Sequence, residues 1–479
     1  MNATLHAVTE VNPDAMAIAA QLDAERANGT VRGPLHGVPI LIKNNIATMD
    51  KMNNTAGSWA LLGAKVPRDS TLATKLRAAG AIILGKTNLS QWANYRSSNS
   101  SNGWSAYGGQ CYGAYYQSQD PSGSSSGSGV ASSIGLAVAA LGSETSGSIL
   151  SPSQRNNLVG IKPTVGLTSR YLVIPISEHQ DTVGPMARTV KDAAYVLQTI
   201  AGYDPRDNYT SAIPNNHTLP DYVGALDFNS LRGARIGVPR NVLALSTSRV
   251  NMPEVRAFNN AINILKGAGA TIVDANFTGY ETYLNRTGGG IVLEADFIND
   301  LYNYVSQLTY NPNNITDLAS LTAFTKSFPL EDYPDRNTAT WDAALALGFN
   351  NTSPQFWAAY QANLYFGGEG GILGALSRNN LDAAILPTSF SPGIPALVGA
   401  PVVTVPMGFY PANTTVVRSS RGLVSIAPGI PFGLSFMGAK FTEATLISFA
   451  YAFEQRTKQR NVKQPYITPN IELMDVVGA

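Results

Sequence analysis

The sequence predicts an α/β protein in which helices cover both faces of a mixed, mostly parallel sheet. Short apolar runs of strand length alternate along the chain with amphipathic segments of helix length, as in proteins of that class. The chain has 479 residues, of which 44% are hydrophobic and 14% are charged, so it can bury a large core. Length alone suggests about three domains. Large α/β enzymes often form one unit, however, and we expect a single domain.

The N-terminal part carries a strand–helix–strand pattern. Residues 38–42 (VPILI) form a continuous apolar run, typical of a buried strand, and this run ends at Lys43. Ser70 can cap a following helix that Gly80 ends. The apolar run AIIL at residues 81–84 then predicts the next strand.

Residues 122–149 combine a linker-like content of Ser and Gly with an apolar centre. We predict a helix over about 127–141, roughly 21 Å long at ~1.5 Å per residue, that Gly142 ends. Extended chain from Gly142 to Ser148 spans up to ~23 Å, enough to run back along that helix. Ser148 would then lie beside the serines at 124–126, so we expect two serine-bearing loops to meet.

The second half of the chain repeats these signals. A helix, a glycine and a strand follow one another in residues 255–275. Residues 189–202 and 443–455 are amphipathic at the helical period, and the run APVVTVP is typical of a buried strand.

These signals suggest how one domain over residues 1–479 is organised. We expect a core at about 13–202 and a C-terminal part at about 371–465 that completes it. Residues 203–370 are the least regular, and we expect them to form an elaborated, variable region. That region is also where we expect substrate-pocket residues to lie.

The charge balance gives no electrostatic case for a nucleic-acid or anionic-lipid partner. Lysine and arginine total 33 and aspartate and glutamate total 32, so the formal net charge is +1. No stretch approaches the roughly 20 apolar residues that a membrane-spanning helix needs. The first residues lack a charged segment followed by an apolar one, so we expect that a signal peptide was removed or never existed.

Cysteine and histidine usage argues against a disulfide or a metal site. Cys111 is the only cysteine, so no intramolecular disulfide can form, and its Gly and Tyr neighbours favour a structural role over a nucleophilic one. The four histidines show no metal-ligand spacing, and we expect no zinc or iron.

One motif resembles a phosphate-binding loop in its letters alone. GAIILGKT, at residues 80–87, fits the pattern G-x-x-x-x-G-K-[ST]. A phosphate cradle needs its central residues in an open turn that follows a strand and precedes a helix. Here the central residues are themselves the predicted strand and a helix precedes them, so we do not expect nucleotide binding.

A second motif leaves an alternative open. GSSSG, at residues 123–127, fits the G-x-S-x-G nucleophile elbow, which would make Ser125 the nucleophile of an α/β-hydrolase. His179 or His217 could then serve as its base. The elbow requires a strand running directly into it, and the preceding segment QSQDPSG, which contains Pro121, has no apolar run.

Glycosylation sequons are more frequent than chance predicts. With 38 Asn in the chain, chance would give roughly six Asn-x-Ser/Thr triplets, and seven lie in the variable region alone. An Asn-rich surface could produce sequons by accident in a cytoplasmic protein, but the excess favours a secreted, N-glycosylated one. The triplets begin at Asn2, Asn28, Asn53, Asn88, Asn99, Asn208, Asn216, Asn276, Asn285, Asn314, Asn350, Asn351 and Asn413.

Several ordered blocks resemble the amidase signature family over nearly the whole chain. HGVPILIKNNI is similar to the family's lysine strand, GSSSGSGVA to its first serine loop and GSETSGSI to its nucleophile loop. GKTNLSQWA, VGIKPTVGL, DTVGPMARTVKDAA and the C-terminal AFEQ are similar to other blocks, in the expected order. The segments SSSGSG and VIPIS..QDTVGPMART most resemble the peptide-amidase-like branch. The resemblance implies the amidase signature fold.

The resemblance also implies a Ser–cisSer–Lys triad. Ser148 would be the nucleophile, Ser124 the bridging serine on a cis peptide, and Lys43 the base. Ser125 would support the network through hydrogen bonds. The oxyanion hole would be formed by the backbone N–H groups of Thr145, Ser146, Gly147 and Ser148.

The chemistry of these residue types agrees with those roles. A serine hydroxyl attacks poorly unless a neighbour removes its proton. Lysine can do so only when it is neutral, so burial must lower its pKa, and a lysine that ends an apolar strand fits that need. Glycines beside the serines permit the tight backbone of loops that present N–H donors.

Three features depart from the family pattern. Ser146 stands where Asp or Gly is common, and Leu150 stands where Arg is common. The helix that usually precedes the segment AVTEVNPDA is almost entirely absent. The first two differences leave the chemistry in place and bear on substrate preference.

The leading hypothesis is therefore a cofactor-free amide hydrolase, acting as a monomer or a homodimer. It would transfer the acyl group of a small or peptide-like amide to Ser148, release ammonia or an amine, and then hydrolyse the acyl-enzyme. Esters, anilides or carbamates could react by the same route. Two alternatives stay open: an α/β-hydrolase esterase that uses Ser125 and a histidine, and a non-catalytic secreted glycoprotein.

Overall fold

The computed structural model describes residues 2–246 and 252–470. Within these residues the alternating signals of the sequence correspond to fifteen strands. The strands are β1 (Val8–Val11), β2 (Pro39–Lys43), β3 (Ile82–Thr87), β4 (Trp104–Ser105), β5 (Gly109–Gln110), β6 (Ala139–Glu144), β7 (Val159–Lys162), β8 (Thr182–Ala187), β9 (Arg235–Val238), β10 (Thr271–Asp274), β11 (Ala383–Pro387), β12 (Val402–Phe409), β13 (Val417–Arg418), β14 (Val424–Ile426) and β15 (Pro431–Met437).

Seventeen α-helices accompany these strands within the same described ranges. They are α1 (Asn2–Leu5), α2 (Ala15–Ala27), α3 (Thr71–Ala78), α4 (Ser126–Ile134), α5 (Leu150–Arg155), α6 (Val190–Ile200), α7 (Pro214–His217), α8 (Arg240–Ser246), α9 (Met252–Gly267), α10 (Tyr280–Asn285), α11 (Ile291–Val305), α12 (Leu318–Ser327), α13 (Ala339–Ala346), α14 (Pro354–Gly367), α15 (Ile372–Arg378), α16 (Gly393–Leu397) and α17 (Glu443–Thr457). Among the described residues, none of these helices is both long and apolar enough to span a bilayer.

Eleven strands form one mixed sheet in the order β1-β3-β2-β6-β8-β7-β12-β15-β11-β9-β10. Pairing is parallel in the blocks β3-β2-β6 and β11-β9-β10, and antiparallel between the remaining neighbours. The predicted α/β domain with a mixed sheet is confirmed. Helix–strand alternation predicts its parallel blocks, whereas β7–β8 and β12–β15 follow one another without an intervening α-helix, as antiparallel strands can.

Helices cover both faces of the sheet, as predicted. Side chains alternate along β2, so that Ile40 and Ile42 pack with Leu72 of α3 on one face, and Leu41 packs with Val130 of α4 on the other. Helices α6, α9 and α17 join α3 on the first face, and α15 and α16 cover the second face farther along the sheet. The variable region contributes β9 and β10, of which β10 is an edge strand of the sheet. The proposed segment boundaries stay a prediction.

The predicted elements of the N-terminal part are confirmed. Strand β2 ends at Lys43, and the Ser70 hydroxyl caps α3 by accepting a hydrogen bond from the Ala73 N–H at 3.3 Å. Residues 82–87 of the phosphate-loop motif are all in β3, which confirms that this motif is not a phosphate cradle. The buried Lys86 amine donates instead to the Ile46 carbonyl and the Asn54 side chain.

The helix predicted over 127–141 is wrong in its length. Helix α4 ends at Ile134 because Gly135 adopts the left-handed conformation, with φ 85°, and the remaining apolar residues form β6 between β2 and β8. Gly142 lies inside β6, where a Cβ would come within 2.8 Å of the Ser125 hydroxyl oxygen. An apolar run fits either element, and pairing with the neighbouring strands decides for the strand.

A buried ion pair joins the variable region to the core. The side chains of Arg96 and Glu331 are 2% and 0% exposed, and Arg96 Nη1 lies 2.9 Å from Glu331 Oε2. Glu331 Oε1 accepts hydrogen bonds from the Ser58 hydroxyl at 2.6 Å and the Trp59 N–H at 2.7 Å. This carboxylate therefore satisfies groups from several segments that are distant in sequence.

Replacing that carboxylate should destabilise the fold strongly. We expect Glu331→Ala to lower the free energy of unfolding by about 3–5 kcal/mol, because Arg96 would keep its charge in a buried site without a partner. Chemical denaturation measures this change. The control is Glu369→Ala, which removes an exposed partner of Arg378 and should cost under about 1 kcal/mol. Equal effects of the two substitutions would contradict the role of the buried pair.

Candidate active site

The end of β2 positions a buried lysine amine. The continuous apolar strand carries Lys43 into the interior, where its side chain is fully buried. Lys43 Nζ donates to Ser124 Oγ at 2.7 Å, to Ser143 Oγ at 2.9 Å and to the Ser143 carbonyl at 3.1 Å. The lysine thus connects the first serine loop to the end of β6.

The first serine loop turns sharply before α4. The peptide bond between Gly123 and Ser124 is cis, and the Ser124 carbonyl accepts a hydrogen bond from the Ser90 N–H at 3.0 Å. A Cβ at position 123 would come within 2.3 Å of the Ser90 hydroxyl oxygen, so glycine is required there. Ser124 itself is fully buried, facing Lys43.

The second serine loop, between β6 and α5, brings Ser148 to the first one. The N–H of Ser125 donates to the Ser148 carbonyl at 3.1 Å, so the expected meeting of the two loops is confirmed. Ser125 Oγ donates to the Ser143 carbonyl at 3.1 Å and accepts from the Ser143 N–H at 3.3 Å. Ser148 is 8% exposed.

A buried carboxylate shapes the second loop from inside. Glu144 Oε1 accepts from the Gly147 N–H at 2.6 Å, and Oε2 accepts from the N–H groups of Ile149 at 2.7 Å and Leu150 at 3.0 Å. Gly147 has φ 86°, a left-handed conformation that favours glycine. Burial raises the pKa of Glu144, while Lys162 and the three N–H donors act in the opposite direction.

The backbone N–H groups of the second loop fall into two sets. The N–H of Gly147 is directed at Glu144. The N–H groups of Thr145, Ser146 and Ser148 donate to no acceptor within the described part of the chain. Three donors of the loop are therefore available for an external oxygen.

Burial changes the acid–base behaviour of the lysine. It lowers the pKa of Lys43 from 10.5 to about 7, against the opposing attraction of Asp181 and Glu144. Burial likewise lowers the pKa of Lys86 to about 7 and of Lys162 to about 8. The amines of those two lysines bond carbonyl or amide oxygens, whereas the amine of Lys43 bonds serine hydroxyls.

Comparison with known proteins agrees with this geometry. The family described as Amidase matches residues 1–447. The chain belongs to the amidase family. It is 58% identical over 478 residues to an amidase-family protein of Arthroderma benhamiae, covering 100% of this chain and 80% of that one. It is 38% identical to an amidase-family protein of Arabidopsis thaliana, covering 95% of this chain and 84% of the relative.

A solved structure extends the similarity to three dimensions. The peptide amidase of Stenotrophomonas maltophilia superposes with a TM-score of 0.84 at 39% identity, covering 96% of this chain and 91% of that one. The predicted family, its fold and the predicted amidase class are thereby confirmed.

The alternative that uses Ser125 and a histidine is not supported. Ser125 Oγ bonds the backbone of Ser143, and no strand among the residues that the structure describes enters the loop that carries Ser125. His179 Nδ1 lies 3.0 Å from both oxygens of Asp296, and the ring of His217 stacks on Tyr203. Neither histidine bonds Ser125 among the described contacts.

Glu178 joins His179 and Asp296 in a group whose potential ligand atoms lie within 4.8 Å of one another. The spacing of histidines in the sequence does not predict this group. Its atoms already bond protein partners: Asp296 accepts from the Ser177 hydroxyl as well as from His179, and Glu178 accepts from Asn351.

Sequence reasoning missed three residues that organise the amidase site. Ser143 and Glu144 lie within the quoted block GSETSGSI, and Asp181 begins the block DTVGPMARTVKDAA. Asp181 accepts from the Thr145 hydroxyl and from the N–H groups of Ile176 and Ser177. Their membership in motif blocks was a usable signal, but their hydrogen-bond partners depend on the fold.

We expect Glu144→Gln to loosen the second loop. Glutamine offers one acceptor oxygen where the carboxylate offers two, so at least one buried N–H would face an NH₂ group, at about 1–3 kcal/mol each. Hydrogen exchange at Gly147, Ile149 and Leu150 should accelerate, and amidase activity should fall. Glu281→Gln, at an exposed position, is the matched control and should change neither. Unchanged exchange at all three amides would contradict this role of Glu144.

Proposed function

We propose that this amidase-family protein hydrolyses amide C–N bonds through an acyl-enzyme on Ser148. The observation that supports this proposal best is the 2.7 Å hydrogen bond from the buried Lys43 amine to Ser124 Oγ. A buried amine with a pKa of about 7 is substantially neutral at physiological pH, and so can accept a proton.

The first half of the reaction forms the acyl-enzyme. Ser148 Oγ attacks the amide carbonyl carbon while its proton passes to Ser124, whose own proton passes to Lys43. The tetrahedral intermediate then collapses: the C–N bond breaks, and the nitrogen leaves with a proton returned through Ser124. In the second half, water gives a proton to the same relay and attacks the ester carbonyl. The bond between the acyl carbon and Ser148 Oγ then breaks, the relay returns a proton to Ser148 Oγ, and the acid leaves.

The oxyanion of both tetrahedral intermediates needs hydrogen-bond donors. We assign this role to the N–H groups of Thr145, Ser146 and Ser148, which have no acceptor in the described chain. The fourth predicted donor, Gly147, is left out, because its N–H bonds Glu144 at 2.6 Å. Ser125 supports the relay through Ser143.

The proposed substrate is a small or peptide-like amide. The similarity to the peptide amidase of Stenotrophomonas maltophilia supports this class. Esters, anilides or carbamates would be side substrates, because they form the same acyl-enzyme. Action as a monomer or a homodimer stays a prediction.

We further propose that the protein is secreted and N-glycosylated, with a cytoplasmic location as the alternative. Eight of the thirteen sequon asparagines are exposed: Asn28, Asn99, Asn208, Asn216, Asn276, Asn285, Asn314 and Asn413. Asn88 and Asn351 are buried. Asn53 and Asn350 are partly exposed, and the side chain of Asn2 lies outside the described residues.

The assignment of Ser148 as the nucleophile can be tested by substitution. Ser148→Ala should abolish amide hydrolysis while leaving the circular dichroism spectrum and thermal midpoint nearly unchanged, because it removes a single hydroxyl. A serine-directed covalent probe should label Ser148 in the parent protein, as peptide mass spectrometry would detect. Labelling of Ser125 would instead favour the esterase alternative.

Another prediction concerns pH. Below about pH 7 Lys43 gains a proton and cannot act as a base, so kcat/KM should fall as the pH decreases through about 7. Lys43→Ala should remove nearly all turnover, at least about 10²-fold. His179→Ala and His217→Ala are the matched controls, and their kcat/KM should still fall as the pH decreases through about 7. An inactive histidine variant beside an active Lys43→Ala would overturn the assignment.

A further prediction concerns glycans. Expression in a eukaryotic secretory host should yield glycans at several of the eight exposed sequons, as glycopeptide mass spectrometry would detect. Asn88 and Asn351 serve as internal controls and should stay unmodified, because their side chains are buried. A mass that enzymatic deglycosylation leaves unchanged would remove the case for secretion.

A further inference from the structure

A cavity of about 280 Å³ adjoins the proposed catalytic relay. Ser143 and Thr145 form part of its wall, together with Asn45. Lys43 Nζ and Asn45 Nδ2 both donate to Ser143 Oγ, at 2.9 and 3.0 Å. Two hydrogen bonds therefore connect the catalytic amine to the cavity wall.

Asn45, a residue of this wall, has an unused acceptor. The residue is 2% exposed, and its amide nitrogen is engaged with Ser143 and the Ile174 carbonyl. Its Oδ1 is buried and has no hydrogen-bond partner. A buried acceptor without a donor is costly, at about 1–3 kcal/mol.

The wall contributed by α11 presents further acceptors. Asp300 is 8% exposed, and its Oδ2 accepts from the Glu178 N–H at 2.6 Å. Its Oδ1 accepts no hydrogen bond from the described residues. Glu178, which also lines the cavity, uses Oε1 to accept from Asn351, and no donor among the described residues reaches its Oε2.

The positive charges of the wall are already neutralised. Arg170 donates two side-chain hydrogen bonds to Asp207, at 2.6 and 2.8 Å, and Arg206 donates to Asp204 at 2.9 Å. These pairs leave Asp300, Glu178 and Asp181 without an ion-pair partner among the described residues. The cavity consequently has an excess of carboxylates.

We propose that this cavity binds the protonated amino group of a lysine-like side chain carried by the amide substrate, with Asp300 and Glu178 as its ion-pair partners. An alkylammonium has three N–H donors and a positive charge, which match the unused acceptors and the excess of carboxylates. This inference rests on the proposed hydrolysis at Ser148.

The contacts around Asp181 favour a long side chain over an α-amino group. Asp181 accepts hydrogen bonds from the Thr145 hydroxyl and, through its other oxygen, from the Ser177 N–H. The N–H of the next residue, Glu178, donates to Asp300. The Asp181 side chain and the backbone of residues 177–178 thus lie between the Asp300 carboxylate and the Thr145 hydroxyl along this series of hydrogen bonds. An amino group at the end of a flexible side chain fits this arrangement better than one bonded directly to Cα.

Binding of a cation would be coupled to the ionisation of Asp300. Burial raises the pKa of this carboxyl to about 9, with further increases from Asp296, Glu178 and Asp181 and a decrease from the Glu178 N–H. A bound cation would lower that pKa and stabilise the ionised form.

The test compares two amides that differ in the terminal amino group, Nα-acetyl-L-lysinamide and Nα-acetyl-L-norleucinamide. The parent protein should show a KM about tenfold to a hundredfold lower for the lysinamide, as expected for a charge-assisted hydrogen bond. Asp300→Asn should remove that preference by raising the lysinamide KM, with kcat and the norleucinamide KM unchanged. Asparagine keeps an acceptor for the Glu178 N–H, so the variant should fold. Asp23→Asn, which removes an exposed carboxylate on α2, is the control and should change nothing.

Titration calorimetry on Ser148→Ala separates this inference from the proposed function. Preferential binding of the lysinamide, lost in Ser148→Ala/Asp300→Asn, would support the cation site even if the parent protein hydrolysed neither amide. Hydrolysis of both amides with equal KM, unaffected by Asp300→Asn, would overturn the cation site and leave the proposed hydrolysis standing. Equal binding of both amides to Ser148→Ala would overturn it as well.

Discussion

The buried Lys43 amine is the constraint on which the rest of the site depends. A charged amine without water is unfavourable, and Lys43 bonds two hydroxyls and a carbonyl rather than a carboxylate. Burial therefore disfavours its charged form relative to a lysine in water, and the pKa falls to about 7. Satisfying this amine requires β2, the cis turn before Ser124 and the end of β6 to converge. The hydrogen bonds that satisfy the buried amine thus also hold these segments together.

Two carboxylates, the buried Glu144 and the partly buried Asp181, connect loop shape to the electrostatics of this amine. Glu144 accepts hydrogen bonds from three N–H groups of the second serine loop. Asp181 accepts hydrogen bonds from the Thr145 hydroxyl and from two further N–H groups. Both carboxylates raise the pKa of Lys43 against the effect of burial. The groups that hold the donors of Thr145, Ser146 and Ser148 in place therefore also adjust the basicity of the lysine.

The variable region contributes to the site without containing any of the motif blocks. The ion pair between Glu331 and Arg96 connects the variable region to the core. Helix α11 places Asp300 and Tyr304 in the wall of the cavity that Thr145 also lines. The cavity is thus lined by residues of both the core and the variable region.

The sequence by itself determined the family, the strand that ends at Lys43 and the two serine loops, because apolar runs and motif blocks are local features. Only the tertiary structure decided that α4 ends at Ile134 and that β6 follows, since the same apolar run suits a helix until β2 and β8 pair with it. It likewise decided that Glu144 takes the Gly147 N–H, and that Asp300 meets the Glu178 backbone. These contacts arise from the folded path of the chain, which no local pattern encodes.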